Sequence, residues 1–202
     1  MAKQTFLYAL LLLSLTILYI STASATTIRR PQTPHSTRFI QTSCRVTRYP
    51  AICVQSLTPF ASHIGQSKRR LAQTALLVSL SKARGAAVFV SKMTRLRGLK
   101  PRERGALIDC VENMGDTVDR LSQSIQELDH TGRIVGQEFL WHMSNVQTWV
   151  SAALTDETTC VDAFAEPGME GKVKAAIKRN ILRVAQVTSN ALALVNRFAS
   201  RH

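Results

Sequence analysis

The chain has no Cys-x-x-Cys pair, no His-Glu-x-x-His, no Gly-x-Ser-x-Gly and no glycine loop of the kind that cradles phosphate. Those absences remove the common zinc, serine-hydrolase and nucleotide signatures. Zinc-finger spacing, an aromatic ribonucleoprotein motif and a basic zipper are missing too, so the motifs that read nucleic acid are lacking. No stretch alternates apolar and polar residues for long enough to make a strand, no block repeats, and no Asn-x-Ser/Thr sequon offers an N-glycosylation site. Acidic residues are scarce: 13 Asp and Glu stand against 26 Lys and Arg, for a formal charge of +13.

What is present begins with a leader. Lys3 gives a short positive start, Phe6 to Ile20 is almost wholly apolar, and Ala23-Ser24-Ala25 has the small-residue form of a signal-peptidase site. Residues 1–25 therefore read as a signal peptide, with a mature start near Thr26. A membrane anchor is the competing reading, but a run of 15 residues falls short of the roughly 20 a helix needs to cross a bilayer. No later stretch looks apolar enough to span, so the expected product is secreted and has no membrane attachment after cleavage. Export also gives sense to the four cysteines, Cys44, Cys53, Cys110 and Cys160, which in an oxidising compartment read as staples rather than metal ligands.

Loss of Lys3 leaves 25 basic against 13 acidic residues, a mature charge of +12. Outside a cell such a charge is drawn to anionic polysaccharide or to an acidic protein surface, and it serves equally as a solvated coat. Residues 26–37 hold two prolines, basic side chains and many hydroxyls without periodicity, the composition of a flexible tail or binding arm. Residues 38–202 suffice for one domain with a substantial core.

Within that domain apolar positions recur at helical spacing in four segments. From about Ser67 to Arg97, the residues Ala72, Leu76, Leu80, Ala83, Ala87, Val90 and Met93 share a face that closes at Gly98. Pro101 suits a first helical turn, and Leu107, Val111, Met114, Val118, Leu121, Ile125 and Leu128 step by fours and threes to a stop at Thr131-Gly132. Phe139, Met143, Val146, Val150 and Ala153 make the third stripe, with Trp149 beside it and assigned to the core; the pattern dissolves at Thr155. After a connection around Cys160 and a break at Pro167-Gly168, a segment from about Gly171 to Phe198 points Val173, Ile177, Ile181, Val184, Val187, Ala191, Leu194 and Phe198 inward. Short connections make neighbouring helices antiparallel, so the expectation is an all-α, up-down-up-down four-helix bundle over residues 66–202, with a smaller element at 38–65 before it.

Four cysteines permit three pairings, and order and spacing favour the local ones, Cys44 with Cys53 and Cys110 with Cys160. The first pair would tie a small hairpin ahead of the bundle. The second would pin the beginning of the second bundle helix to the segment joining the third and fourth, which an up-down bundle brings to the same end.

The local words are distinctive. They include Phe39-Ile40, Ser43-Cys44, Thr47, Tyr49-Pro50, Cys53 and Ser56-Leu57, then Ala106-Leu107, Asp109-Cys110, Glu112, Asp116, Val118-Asp119 and Leu121. Thr148 to Thr155, Thr159-Cys160, Asp162-Ala163-Phe164 and Asn190 to Leu194 complete them. From about Phe39 onward the chain resembles the plant invertase and pectin methylesterase inhibitor family. The resemblance implies a four-helix bundle behind a helical hairpin, with cysteines paired first to second and third to fourth. It implies an inhibitor rather than an enzyme, without a cofactor, acting in the apoplast and cell wall through a 1:1 complex that occludes the target's substrate cleft and is tighter at mildly acid pH. Met114 stands where many members carry tyrosine, and keeps the seam apolar. The Pro-Lys-Phe tripeptide typical of invertase-directed members is absent, Thr58-Pro59-Phe60 being the nearest string. Pectin methylesterase is therefore the expected partner, with acid invertase the alternative; a non-inhibitory wall-binding or signalling bundle, held electrostatically to pectate, is the third reading.

Asp116 and Asp119 lie off the Met114, Val118, Leu121 seam and match the family's acidic pair, while Asn145 and Thr148 lie off the third stripe. These four are the candidate enzyme-binding residues, each with a plain alternative as a hydrated surface group. Asp116 and Asp119, one turn apart, also admit an acid and base reading, but no nucleophile or charge-stabilising group accompanies them. His142 reads as a packed or half-exposed histidine beside the stripe.

Overall fold

A computed structural model describes residues 34–132 and 134–200 of the chain. The leader and residues 26–33 of the expected tail lie outside the described residues. Residues 34–37 differ from the flexible tail expected there: α1 (Pro34–Cys44) opens on a proline, suited to a first turn, and Ser36 is already buried. Its partner α2 (Pro50–Leu57) also opens on proline. A 3-10 turn at Thr58–Phe60 and the short α3 (Ala61–Ile64) follow, and the chain turns at Gly65, whose φ of 57° suits a residue without a side chain. Cys44 is bonded to Cys53, with Cα atoms 5.7 Å apart, which joins α1 to α2.

Four long helices follow: α4 (Lys68–Met93), α5 (Pro101–His130), α6 (Gly136–Asp162) and α7 (Lys172–Ala199). Helix α4 packs on α5 and α7, and α6 packs on the same two, so the helices stand round a square; α1 and α2 lean on the α4–α7 side. The stripes legible in the sequence line the core. Leu76, Ala83 and Val90 of α4, Leu107, Met114, Leu121 and Leu128 of α5, and Ile177, Ile181 and Ala191 of α7 are fully enclosed. Ala87 and Met93 are only half-buried, at the edge of the α4 stripe.

Three expectations are corrected. Helix α6 does not stop at Thr155 but runs two turns further, because Glu157 and Cys160 continue the Val146, Val150, Ala153 spacing and are both buried. A glutamate at a core position hides the stripe from a reading of hydrophobicity. Cys160 thus sits in the last turn of a helix, and its bond to Cys110, with Cα atoms 4.5 Å apart, joins α5 to α6 directly. Trp149 is half-buried rather than core, since it shares a helix stripe with His142, Asn145 and Asp156 along the seam with α5. Finally, α4 is by length and composition apolar enough to cross a bilayer. Here its Leu71, Leu76, Leu80 and Val90 pack into the bundle, and Lys68, Arg70, Lys82, Arg84 and Lys92 face water.

The ends of the bundle are tied by specific bonds. The Lys100 N–H donates to the Glu103 carboxylate at 2.9 Å, capping α5, and the Lys100 Nζ donates to the Gly168 carbonyl at 3.0 Å. Phe164 and Met169 of the α6–α7 connection are buried. At the opposite end Arg69 of α4 donates to the Leu128 and Asp129 carbonyls, at 3.2 and 3.0 Å, in the last turn of α5, where the Leu128 carbonyl also accepts from the Thr131 N–H and hydroxyl.

Candidate functional site

The α5–α6 pair presents the most organised polar surface. Arg120 of α5 donates its Nε to Asp156 Oδ2 of α6 at 2.7 Å. Burial pushes the Asp156 carboxyl up, the Arg120 hydrogen bond and charge pull it down, and the nearby negative charge of Asp116 raises it again, leaving it above its ordinary value. Asp116, Arg120 and Asp156 thus form one cluster, in which Arg120 is bonded to Asp156 and Asp116 stands close enough for its charge to act on that carboxyl.

Two turns further along α5, about 10 Å at 1.5 Å per residue, stands the second cluster. Glu127 Oε1 accepts from Asn145 Nδ2 at 2.7 Å and lies 2.9 Å from His142 Nδ1. Burial pushes the Glu127 carboxyl up, but the bonds from Asn145 and His142 and the charges of His142 and His130 outweigh it, and the group is held below its ordinary value. Beneath the surface Thr117 bridges the helices, its hydroxyl within 3.4 Å of the Ala153 carbonyl.

The structure therefore gives the four nominated residues different surroundings. Asp116 and Asp119 are exposed one turn apart on α5, and only Asp116 is drawn into the Arg120–Asp156 cluster. Thr148 is exposed on α6. Asn145 is half-buried and its Nδ2 is committed to Glu127, so it braces the surface as well as belonging to it. Sequence reading missed Arg120, Glu127 and Asp156, which order the face, because cross-helix partners carry no local signature. It also passed over Trp141, 59% exposed, which packs edge-on to His142 at 4.8 Å. Counting back four residues from Asn145 would have found it, since Trp141, Asn145 and Thr148 share a stripe.

Every Asp and Glu of the chain lies between Glu103 and Glu170, hence on α5, α6 or the connection that follows. Among the described residues no group of three or more His, Cys, Asp and Glu side chains is placed to hold a metal ion. What this face can do chemically is accept hydrogen bonds and meet cations on another surface, from two helices cross-linked by Cys110–Cys160.

The plant invertase/pectin methylesterase inhibitor family model matches residues 38–194. The chain is 48% identical over 204 residues to pectinesterase inhibitor 9 of Arabidopsis thaliana, an alignment covering 100% of this chain and 97% of that protein. It is 49% identical over 165 residues to a 21 kDa protein of Daucus carota, covering 82% and 86% respectively. The crystal structure of mutant form A of a pectin methylesterase inhibitor from Arabidopsis superposes with a TM-score of 0.62 over 78% of this chain and 95% of that one, at 20% identity, a likeness of fold. Sequence and architecture together establish that the chain belongs to the plant invertase/pectin methylesterase inhibitor family.

Proposed function

We propose that the protein is an exported inhibitor of pectin methylesterase, not itself an enzyme, that lays its α5–α6 face across the enzyme's substrate cleft in a 1:1 complex. The observation that carries this reading is the full-length similarity to a protein named as a pectinesterase inhibitor. The ordered acidic surface on α5 and α6 supplies a place for the contact. In this reading Asp116, Asp119 and Thr148 meet the enzyme directly, while Asn145, held by Glu127, turns its amide oxygen to the interface. No bond in the enzyme changes; polymer is kept out. The Cys110–Cys160 bond serves binding because a face already fixed loses less conformational freedom on association.

Export through the leader would place the protein in the cell wall, where the enzyme's polymeric substrate lies. The expected association with pectate is assigned to another part of the surface.

The test is a paired titration of purified protein against a pectin methylesterase and an acid invertase at pH 5 and pH 7. We expect pectin methylesterase activity to fall linearly to an equivalence point near one inhibitor per enzyme, more tightly at pH 5, with invertase unaffected. Loss of invertase activity alone would transfer the assignment to that enzyme. Full activity of both would leave a wall-binding or signalling bundle as the role.

A further inference from the structure

Charge is distributed one-sidedly round the bundle. Residues 34–100 carry twelve Lys and Arg and residues 171–200 carry six, and neither stretch contains a single Asp or Glu. The first stretch builds the hairpin and α4, the second builds α7. Because α4 and α7 are neighbours and the hairpin packs on both, the helices that carry these cations lie opposite the α5–α6 pair, with Arg69 and Lys100 turned instead to the end of α5 and the α6–α7 connection. Crowding like charges opposes folding, so a side kept free of carboxylates needs a compensating use.

A groove of about 580 Å³ opens in this side, between the hairpin and α4, with α7 at its edge. Its wall includes Phe60, 43% exposed, and Leu77, 46% exposed. Its rim carries Lys82, His63 and Arg183, all facing water, and no acidic residue lines it. The Arg183 guanidinium is oriented by a bond from Nη2 to Gln55 Oε1 at 3.0 Å, which links α7 to α2 across the groove edge.

We propose that this groove is a binding subsite for a de-esterified pectin chain, a linear polymer bearing one carboxylate on each sugar. Pyranose rings present apolar C–H faces that can lie on the Phe60 ring and Leu77, and carboxylates repeating along the chain meet the Lys82 ammonium and the Arg183 fork. A methyl-esterified chain keeps the rings and loses the charge, so the subsite selects the product of ester hydrolysis over its precursor. Nothing in this arrangement involves the α5–α6 face. The protein would be tethered to polymer by one side and leave the other free for an enzyme. The proposal localises the pectate association and uses no enzyme contact, so its failure would leave the inhibitor reading standing.

The experiment is affinity electrophoresis of the purified protein through gels containing polygalacturonate, fully methyl-esterified pectin or single-stranded DNA. Retardation by polygalacturonate and none by the esterified polymer is expected. The pair Lys82→Glu with Arg183→Glu should weaken binding roughly tenfold, as reversal of two contacting charges does. The pair Arg95→Glu with Arg97→Glu, which changes net charge equally at the α4–α5 turn, should stay within roughly twofold. Phe60→Ala, a truncation of an exposed ring that leaves charge and core intact, should weaken binding severalfold and keeps the test valid if a charge-reversed pair fails to fold. Equal losses from the two pairs, an unaffected Phe60→Ala, equal retardation by esterified pectin, or DNA binding as tight as polygalacturonate binding would each overturn the assignment.

Discussion

The side-chain amide of Asn190 closes a ring with the backbone of Tyr49: its Nδ2 donates to the Tyr49 carbonyl at 2.9 Å and its Oδ1 accepts from the Tyr49 N–H at 3.0 Å. The residues are 141 positions apart, and Asn190 is 3% exposed. Tyr49 precedes the first turn of α2, where a backbone N–H has no helical partner. One side chain from α7 thereby fixes the angle at which the hairpin enters.

Asn190→Ala should accordingly leave the Tyr49 N–H without a partner, while the Tyr49 carbonyl keeps its bond from the Cys53 N–H at 3.0 Å, a loss of about 1–3 kcal/mol for the one orphaned group. Calorimetry should show a melting temperature lower by several degrees. Amide exchange should accelerate in α1 and α2 more than in α5 and α6; uniform acceleration would show that the ring does not act locally.

Glu157 makes stability depend on pH. It is fully enclosed, its Oε1 accepts from the Thr188 hydroxyl at 2.7 Å, Ser79 lies 2.7 Å beyond Thr188, and its Oε2 has no partner. Burial pushes the carboxyl up to about 8, against the Thr188 bond and with help from the Asp156 charge. The folded protein then holds a proton between pH 4.5 and 8 that the unfolded chain has released. Stability is therefore full below 4.5 and declines as pH rises, by at most about 1.4 kcal/mol per unit. Thermal melts from pH 5 to pH 8 should show a falling midpoint, and Glu157→Gln, permanently neutral, should flatten the slope. Parallel slopes for the two proteins would remove Glu157 as the cause.

Cys110 and Cys160 close a loop of sequence separation 50. On the chain-entropy view their joint replacement by alanine should lower stability by roughly 4 kcal/mol. Because they join the two helices of the proposed binding face, inhibition should weaken along with helix cooperativity when the disulfides are reduced. Circular dichroism melts beside inhibition titrations check both, and full potency with all four thiols free would separate the staple from the function.

Asp116→Asn combined with Asp119→Asn should be nearly silent for stability, within roughly 0.5 kcal/mol, as exposed positions are. The same pair should weaken inhibition of pectin methylesterase about tenfold, the effect of losing one well-placed charged hydrogen bond. Unchanged inhibition constants with an unchanged melting temperature would move the contact off this part of α5. Glu127→Ala probes the second cluster, since it releases both His142 and Asn145, and should weaken inhibition while Asp116 and Asp119 remain in place.

The bundle was legible because its information is periodic. Leu107, Met114, Leu121 and Leu128 recur at a spacing that only a helix turns to one side, and a one-sided apolar helix must find partners. The reading failed where one residue type served two masters: Glu157 is polar by composition and core by position, and it concealed the last two turns of α6. Trp149 misled in the opposite sense, being apolar by composition and placed at a seam. The face on α5 and α6 was half legible. Asp116 and Asp119 announce themselves as off-stripe carboxylates, whereas Arg120–Asp156 and Glu127–Asn145 are partnerships between helices.

The same division holds for charge. The linear sequence by itself confines every acidic side chain to residues 103–170, and it determines the four long helices and their apolar stripes, since these depend on neighbours three and four positions away. Whether the acidic block becomes one end of a molecule or one side was decided only by packing. Setting α5 beside α6, and α7 back against α4, turned a division along the chain into a division across the bundle, because the burial of four stripes in one core fixes which surfaces are left to face apart.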